Sequence, residues 1–174
     1  MNQIVIQGVG GLALFFAVLS PQFKKRSLIL LSLIVGLILW VVHYSLLNAW
    51  TGAVMNAIEA AVVFVSFQKD TKAWAQRKFW LYVFVIIYIG TGIATGINFV
   101  NFLPIVAQII AAIAVWQNKP RHIRLISLLP QPLWFTYNLI VGSYAGMVAE
   151  VFIAVSIVTG IIRLDLKGKS AIPK

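Results

Sequence analysis

The chain has 174 residues, of which 61% are hydrophobic and only 10% are charged, and its formal net charge is +10. A soluble domain carries about 25% charged residues, and a chain of this size cannot bury so much apolar surface in its own core. The composition therefore predicts an integral membrane protein, and the absence of cysteine excludes disulfides, thiolate catalysis and cysteine-ligated metals.

Seven apolar stretches are predicted to cross the bilayer, since each is close to the roughly 20 mostly apolar residues that a helical span requires. Proline ends the first span at Pro21 and interrupts the sixth at Pro130, because it cannot continue the hydrogen-bond ladder of a helix. A turn is expected at 98–101. The approximate spans are 4–20, 28–47, 50–67, 79–97, 102–116, 123–141 and 144–162.

The basic residues predict the topology. All 14 Lys and Arg residues lie in the first, third and fifth loops and in the C-terminal tail, which share one side of a protein with seven spans. The positive-inside rule places that side in the cytoplasm and the N-terminus outside. Because the basic clusters alternate with apolar spans, they are a topology signal and not a nucleic-acid interface. Asp70 and Asp165 lie beside basic residues and are expected to be solvated.

The start of the chain carries no basic segment ahead of the first span, so this span is expected to remain as a helix and not to be cleaved.

An internal repeat is the second prediction. WVVHYSLLNAWTGAVMNAIE (40–59) and WFTYNLIVGSYAGMVAE (134–150) align with a shift of 94 residues. Spans one to three then correspond to spans five to seven, and the fourth span lets both triplets keep one orientation. The predicted fold is an all-α membrane protein with two parallel three-helix repeats joined by a linker helix, a 3+1+3 arrangement. Its parts are a first repeat (1–67), a connector and linker helix (68–97), a second repeat (98–162) and a basic cytoplasmic tail (163–174).

Polar side chains inside the spans mark the candidate site, because such groups are costly in a bilayer and are usually functional. At a rise of about 1.5 Å per residue, the shift places two Trp and two polar residues in a common layer, about 9–10 Å below the outer boundary. The substrate-binding candidates are Trp40, Asn56, Trp134, Asn138 and Glu150. The proton-coupling candidates are Glu59 and Glu150, since burial disfavours the charged form of a carboxyl group.

Each candidate also has a structural interpretation. The two Trp residues would be ordinary packing aromatics, Asn56 would bond to a neighbouring helix, and the two carboxyl groups would be neutral and hydrogen-bonded within the bundle. His43 is interpreted as a polar spacer near the outer end of its span. The sequence predicts no metal site and no cofactor, and it carries no catalytic motif, so an enzyme is not expected.

Two resemblances follow from these residues. The 3+1+3 order, with a Trp and a polar partner in each triplet, resembles the SWEET and PQ-loop superfamily of small transporters. Pro21-Gln22 and Pro130-Gln131 resemble its proline-glutamine signature. More closely, the runs HYSLLNAWTGAVMNA and PxPLWFTYN–AGMVAE resemble the YgjV-type bacterial inner membrane proteins. The resemblance implies a SWEET-like fold and a location in the bacterial inner membrane.

By resemblance to SWEETs, Trp40 with Asn56 and Trp134 with Glu150 occupy the places of the sugar-contacting pairs. The related nicotinamide riboside carriers, which use aromatic and amide contacts, offer a second class of solute. Glu150 departs from the expected amide, which favours a cationic or proton-coupled solute over a neutral sugar. The second span has no proline, so the set of proline hinges is incomplete and gating by these hinges is left open.

The sequence therefore predicts a facilitator or proton-coupled carrier for a small polar metabolite, similar to a sugar, nucleoside or amino acid, that works by alternating access between the repeats. The alternative is a non-transporting inner membrane protein with a structural, assembly or regulatory role, in which the polar residues hold helices together. The expected partners are the lipid bilayer and the solute, with no nucleic acid. The identity of the solute, the direction of transport and the oligomeric state, including a homo-oligomer, stay open.

Overall fold

The structure, a computed structural model, describes residues 3–46, 50–94, 99–140 and 144–166. Within these ranges all secondary structure is helical and no strand occurs, as predicted. A 3-10 helix (Ser20–Gln22) follows α1, another (Ala73–Gln76) precedes α4, and a π-helix (Ile161–Leu166) continues α8. The helices are α1 (Gln3–Leu19), α2 (Arg26–Leu46), α3 (Trp50–Gln68), α4 (Phe79–Ala94), α5 (Phe99–Val115), α6 (Pro120–Ser127), α7 (Pro130–Ile140) and α8 (Tyr144–Gly160).

These helices follow the predicted spans with one difference at a turn. The sixth span is two helices, in agreement with its predicted interruption, because α6 ends at Ser127 and Pro130, which lacks an N–H, begins α7. The predicted turn at 98–101 was wrong over 99–101, since α5 already begins at Phe99, and residue 98 lies outside the described residues. Helical structure continues beyond the seventh predicted span, because the π-helix extends to Leu166.

Six of the helices form a closed ring. α2 contacts α1 and α3, and α7 contacts α5 and α8. Contacts of α3 with α5 and of α8 with α1 complete the circle. α4 packs against α3 and α5 from outside the ring, and α6 contacts α5 and α8 at one end. The ring thus contains a first group, α1 to α3, and a second group, α5 to α8, that meet along two seams.

The buried apolar core lies mainly where α2, α3, α4 and α5 meet. α4 presents a strongly exposed apolar face on its other side, where Phe79, Tyr82, Ile86 and Ile93 are 60–67% exposed. A continuous apolar face of this kind fits lipid better than water. The core residues are Leu30, Met55, Val62, Val63, Val65, Ala75, Phe84, Tyr88, Ala112, Val115 and Trp116.

Two helical stretches of the described residues, Arg26–Leu46 and Met147–Leu166, are long and apolar enough to cross a bilayer. Four other apolar helices are shorter, at 10–17 residues. The crossing of the bilayer by these shorter helices stays a prediction from the sequence.

The close packing of α1 on α2 depends on Gly10. The His43 side chain on α2 is 7% exposed, and its Nδ1 lies 2.9 Å from the Ile6 carbonyl oxygen on α1. A Cβ atom at Gly10 would lie 2.8 Å from His43 Cε1. The rings of Trp40 and Tyr44 lie 5.3 and 5.4 Å from the His43 ring, so the imidazole has little room to move.

We therefore expect Gly10→Ala to lower the free energy of unfolding by about 1–3 kcal/mol, the usual effect of overpacking a core. Gly8→Ala is the matched control, since a Cβ at Gly8 meets nothing within 4 Å. The control should be neutral or slightly stabilising, because Ala favours a helix over Gly by up to about 1 kcal/mol. Thermal unfolding in detergent would measure both variants, and equal melting temperatures would contradict the close packing.

Candidate functional site

Two aromatic pairs lie on facing groups of the ring. On α2, the Trp40 and Tyr44 rings are stacked, with centroids 5.5 Å apart and planes 25° apart. On α7, the Trp134 and Tyr137 rings meet edge to face at 5.7 Å and 89°. All four side chains are half-buried. The two Trp residues predicted for the site are thus each accompanied by a tyrosine one helical turn away.

Glu150 on α8 acts electrostatically on Tyr44 of the first pair. The Tyr44 hydroxyl is close enough to the Glu150 carboxyl and the Tyr137 hydroxyl to interact electrostatically with each. These side chains come from α2, α7 and α8, so they connect the two groups of the ring. We call Trp40, Tyr44, Trp134, Tyr137 and Glu150 the central cluster.

Among the described residues, Glu150 differs from the two aspartates in having no ion pair. The ion pairs within the described ranges are Arg26–Asp70 and Arg124–Asp165, and neither includes Glu150. An isolated charge is costly to bury, so this carboxyl group can offer either a proton or a site for a cation.

The two predicted amide residues lie on α7 and α3. Asn138 on α7 is 9% exposed and lies four residues after Trp134. Asn56 on α3 is half-buried. Their membership of the solute site stays a prediction.

Glu59 has a different environment from Glu150. Its carboxylate accepts a hydrogen bond from the Tyr88 hydroxyl on α4. Glu59 is 6% exposed and Tyr88 is fully buried. Since α4 lies outside the ring, this bond fastens α3 to α4. The pairing favours a structural role for Glu59, and its role in proton coupling stays a prediction.

His43 is a buried packing residue and not the polar spacer that the sequence predicted. Its ring fills the space opposite Gly10 and contacts the Ile6 carbonyl. Across the part of the chain that the structure describes, no three His, Asp or Glu side chains are grouped closely enough to hold a metal ion.

A second polar region lies at the end of the ring that carries the basic loops, which we call the basic end. Arg26, the first residue of α2, is only 7% exposed. Its guanidinium donates to Asp70 Oδ2 at 2.7 Å, to Ser66 Oγ at 2.7 Å and to the carbonyls of Val115 at 3.1 Å and Gln117 at 2.6 Å. These five residues, the Arg26 cluster, join α2 and α3 to the end of α5.

Arg124 on α6 is the centre of a similar arrangement. It is 3% exposed and forms a two-pronged ion pair with Asp165, at 2.8 and 2.6 Å. The same guanidinium donates to the carbonyls of Pro21 at 3.3 Å and Phe23 at 2.9 Å. Gly160 completes this Arg124 cluster, because a Cβ there would lie 2.5 Å from the Pro21 oxygen. The cluster joins α6 and the π-helix to the end of α1.

The surroundings of the two arginines correspond under the 94-residue shift that aligned the Trp residues, although Arg26 and Arg124 themselves are 98 residues apart. Carbonyls that accept from Arg124 in one cluster lie 94 residues before those that accept from Arg26 in the other. The corresponding pairs are Pro21 with Val115, Phe23 with Gln117 and Ser66 with Gly160.

Lys69 and Arg163 extend this correspondence. Lys69 Nζ donates to the Trp116 carbonyl and lies 5.2 Å from the centroid of its ring, and Arg163 donates to the Gln22 carbonyl at 3.0 Å. Both donors and both acceptors are again 94 residues apart. Partial burial lowers the pKa of Lys69, and Arg26 lowers it further while Asp70 opposes them.

The prediction of a solvated side chain was wrong for Asp165, whereas Asp70 is exposed as predicted. The Asp165 side chain is 6% exposed and neutralises a buried arginine, and Asp70, although 46% exposed, pairs with Arg26. Extending the 94-residue alignment into the loops would have indicated this, because Asp70 then falls one residue from Asp165 in a chain with only four acidic residues. Tyr44 was also missed, although it lies one turn from Trp40.

Comparison with known proteins agrees with this apolar, helical structure. The model of the Imp-YgjV family, described as bacterial inner membrane protein, matches residues 4–167. Searches of curated proteins and of solved structures give no match. Since the match extends over almost the whole chain, the protein belongs to the Imp-YgjV family of bacterial inner membrane proteins.

Proposed function

We propose that the protein is a multi-pass carrier that moves a small polar solute across the inner membrane by alternating access. The moving parts are two parallel repeats of three spans each, α1 to α3 and α5 to α8, in which α6 and α7 form one span and α4 is the linker. The order of contacts around the ring and the corresponding Arg26 and Arg124 clusters support this division. Solute sites in carriers built from repeats lie where the repeats meet, near the middle of the membrane.

In this proposal the basic end faces the cytoplasm and the N-terminus faces outside. The distribution of all 14 Lys and Arg residues supports that orientation through the positive-inside rule. The route of the solute then leads from the outer end, past the central cluster, to the basic end.

The central cluster is the observation that carries the proposal. A carboxyl group without a basic partner is costly inside a membrane protein and marks a functional site by default. Here Glu150, on one repeat, acts electrostatically on Tyr44, on the other, so movement of one repeat against the other would change its surroundings.

The cluster also suggests the chemistry of the solute. Trp40 and Trp134 offer large faces on which an apolar or aromatic part of a metabolite can stack. Aromatic faces also attract cations, and Glu150 would bind either a cationic group of the solute or a proton that travels with it. Asn56 and Asn138 would supply hydrogen bonds to polar groups of the solute.

Thermal unfolding of the purified protein in detergent tests the proposal. The panel would contain sugars, nucleosides, amino acids and polyamines, each at about pH 5.5 and about pH 7.5. A bound solute raises the melting temperature, because at 100 times its Kd it stabilises the folded state by about 2.7 kcal/mol. We expect Trp134→Ala to fold and to lose this shift.

Trp74→Ala is the matched control, since Trp74 is 45% exposed and lies outside the ring in the connector before α4. This variant should keep the shift. Uptake of the stabilising solute into proteoliposomes would complete the test. No stabilisation by any solute and no uptake at either pH would reject a carrier in favour of a structural or regulatory membrane protein.

A further inference from the structure

We propose that the Arg26 and Arg124 clusters together form the gate that closes the carrier at its cytoplasmic end. This inference rests on the proposed transport function. It assigns a role to buried arginines that the central cluster does not use, and it identifies the state seen here as closed toward the cytoplasm.

Each cluster divides its bonds between the two repeats in the same way. The ion pairs Arg26–Asp70 and Arg124–Asp165 lie within one repeat. Two carbonyl bonds of each arginine cross to the other repeat, from Arg26 to the end of α5 and from Arg124 to the end of α1. The bonds from Arg26 to Ser66 Oγ and to the Ser66 carbonyl stay within the first repeat. Separating the repeats at this end would therefore break the crossing carbonyl bonds and leave both ion pairs intact.

This division suits a gate that must open and close. Breaking a buried ion pair leaves an uncompensated charge and is strongly unfavourable, whereas here each guanidinium would keep its carboxylate when the repeats separate. When the repeats separate, the carbonyls at the ends of α1 and α5 can accept hydrogen bonds from water instead, as carbonyls do at ordinary helix ends. A cation near a helix C-terminus is also favourable in the closed state, because it complements the helix dipole.

Further bonds close both seams at the same end. On the seam of α3 with α5, Ser66 Oγ donates to the Val115 carbonyl. On the seam of α1 with α8, Ser156 Oγ donates to the Val18 carbonyl, and the Gln22 amide donates to the Ser156 carbonyl at 2.6 Å. Outside this layer a depression of about 590 Å³ is lined by Gln22, Lys24, Arg163 and Leu164. The depression would be the cytoplasmic vestibule, which ends at the gate.

Cysteine accessibility tests the gate without knowledge of the solute, since the chain contains no cysteine. Ile157→Cys is the reporter, because Ile157 is 3% exposed and lies one turn before Gly160 on α8. The probe is a membrane-impermeant maleimide added to inverted vesicles, which expose the cytoplasmic face. We expect slow labelling in this parent and at least tenfold faster labelling after Arg124→Lys, since an ammonium group can keep the ion pair with Asp165 but lacks the fork that also reaches both carbonyls.

Arg121→Lys is the control, because Arg121 lies one turn earlier on α6 and is exposed. Its labelling should equal that of the parent. A second pair of substitutions tests the Arg26 cluster, with Arg26→Lys as the variant and Val63→Cys as the reporter. Val63 is a suitable reporter because it is 1% exposed. This pair decides the question if Arg124→Lys does not fold.

Labelling at the parent rate in a folded Arg124→Lys or Arg26→Lys variant would overturn the gate. That result would leave the proposed carrier in place if the solute panel gives a stabilising ligand. If the variants are labelled faster but no solute of the panel stabilises the protein, the results would support closure of the basic end and count against transport. The two proposals therefore fail by different results.

Discussion

Glu150→Gln is expected to weaken solute binding by about 10- to 100-fold. The expectation follows from the electrostatic contact of Glu150 with Tyr44 and from the lack of an ion pair to Glu150 in the part of the chain that the structure describes. A hydrogen bond to a charged group contributes about 1.5–3 kcal/mol, and about 1.4 kcal/mol corresponds to a tenfold change in Kd. The variant should fold at least as well as the parent, because an amide is less costly to bury than an unpaired carboxylate.

Binding and transport at several pH values distinguish the two roles of this carboxyl group. If Glu150 binds a cationic part of the solute, the variant loses binding at every pH. If Glu150 carries a proton, the variant still binds the solute, and uptake no longer responds to a pH gradient. Binding and uptake that match those of the parent at every pH would remove Glu150 from the site.

Glu59→Gln is the comparison that separates a specific loss of solute binding from a general loss of stability. The Glu59 carboxylate accepts a hydrogen bond from Tyr88, which fastens α3 to α4. The change should lower the melting temperature without a specific loss of solute binding. A loss of pH-driven uptake in a well-folded Glu59→Gln protein would restore the proton-coupling role that the sequence predicted for this residue.

The helices were predictable because apolar stretches and proline positions depend on local sequence. Pro21 and Pro130 marked helix ends that the structure reproduces within a few residues. The positions of the two Trp residues on corresponding helices were predictable as well, since they recur at one shift. The pairing of each Trp with a tyrosine follows from helical spacing, and their role in a site stays a prediction.

The basic end was not predictable from the same local reasoning. Arginine beside a loop is usually solvated, and the charge pattern was fully accounted for by topology. Burial of Arg124 arises because the chain returns twice to the same end of the ring, where α1 ends and α8 gives way to the π-helix. These contacts join residues 41 to 103 positions apart, so no short window of sequence contains them.

Asp165→Asn is expected to have the largest effect on stability, a loss of about 3–5 kcal/mol in the free energy of unfolding. Removing one partner of a buried ion pair leaves the other charge uncompensated. Arg124 is 3% exposed and would keep only neutral acceptors, which are the carbonyls of Pro21 and Phe23 and the single amide oxygen that the substitution leaves. Unfolding in detergent, followed by heating or by denaturant, would measure the loss.

Asp70→Asn is the matched control for this substitution. The Asp70 side chain is 46% exposed, and exposed ion pairs contribute at most about 1 kcal/mol. Arg26 would also retain Ser66, Val115 and Gln117 as acceptors. If Asp70→Asn loses as much stability as Asp165→Asn, the exposed fraction of the aspartate side chain does not explain how much each ion pair contributes to stability.

The double variant Arg124→Met with Asp165→Leu separates the cost of an unpaired charge from the value of the ion pair itself. Replacing a buried ion pair by apolar residues of similar size is often neutral or stabilising, so the double variant should recover much of the stability that Asp165→Asn loses. It should also lack the bonds from Arg124 to the carbonyls at the end of α1. If the double variant is stable and its Ile157→Cys reporter is readily labelled, Arg124 is present for closure of the basic end and not for stability.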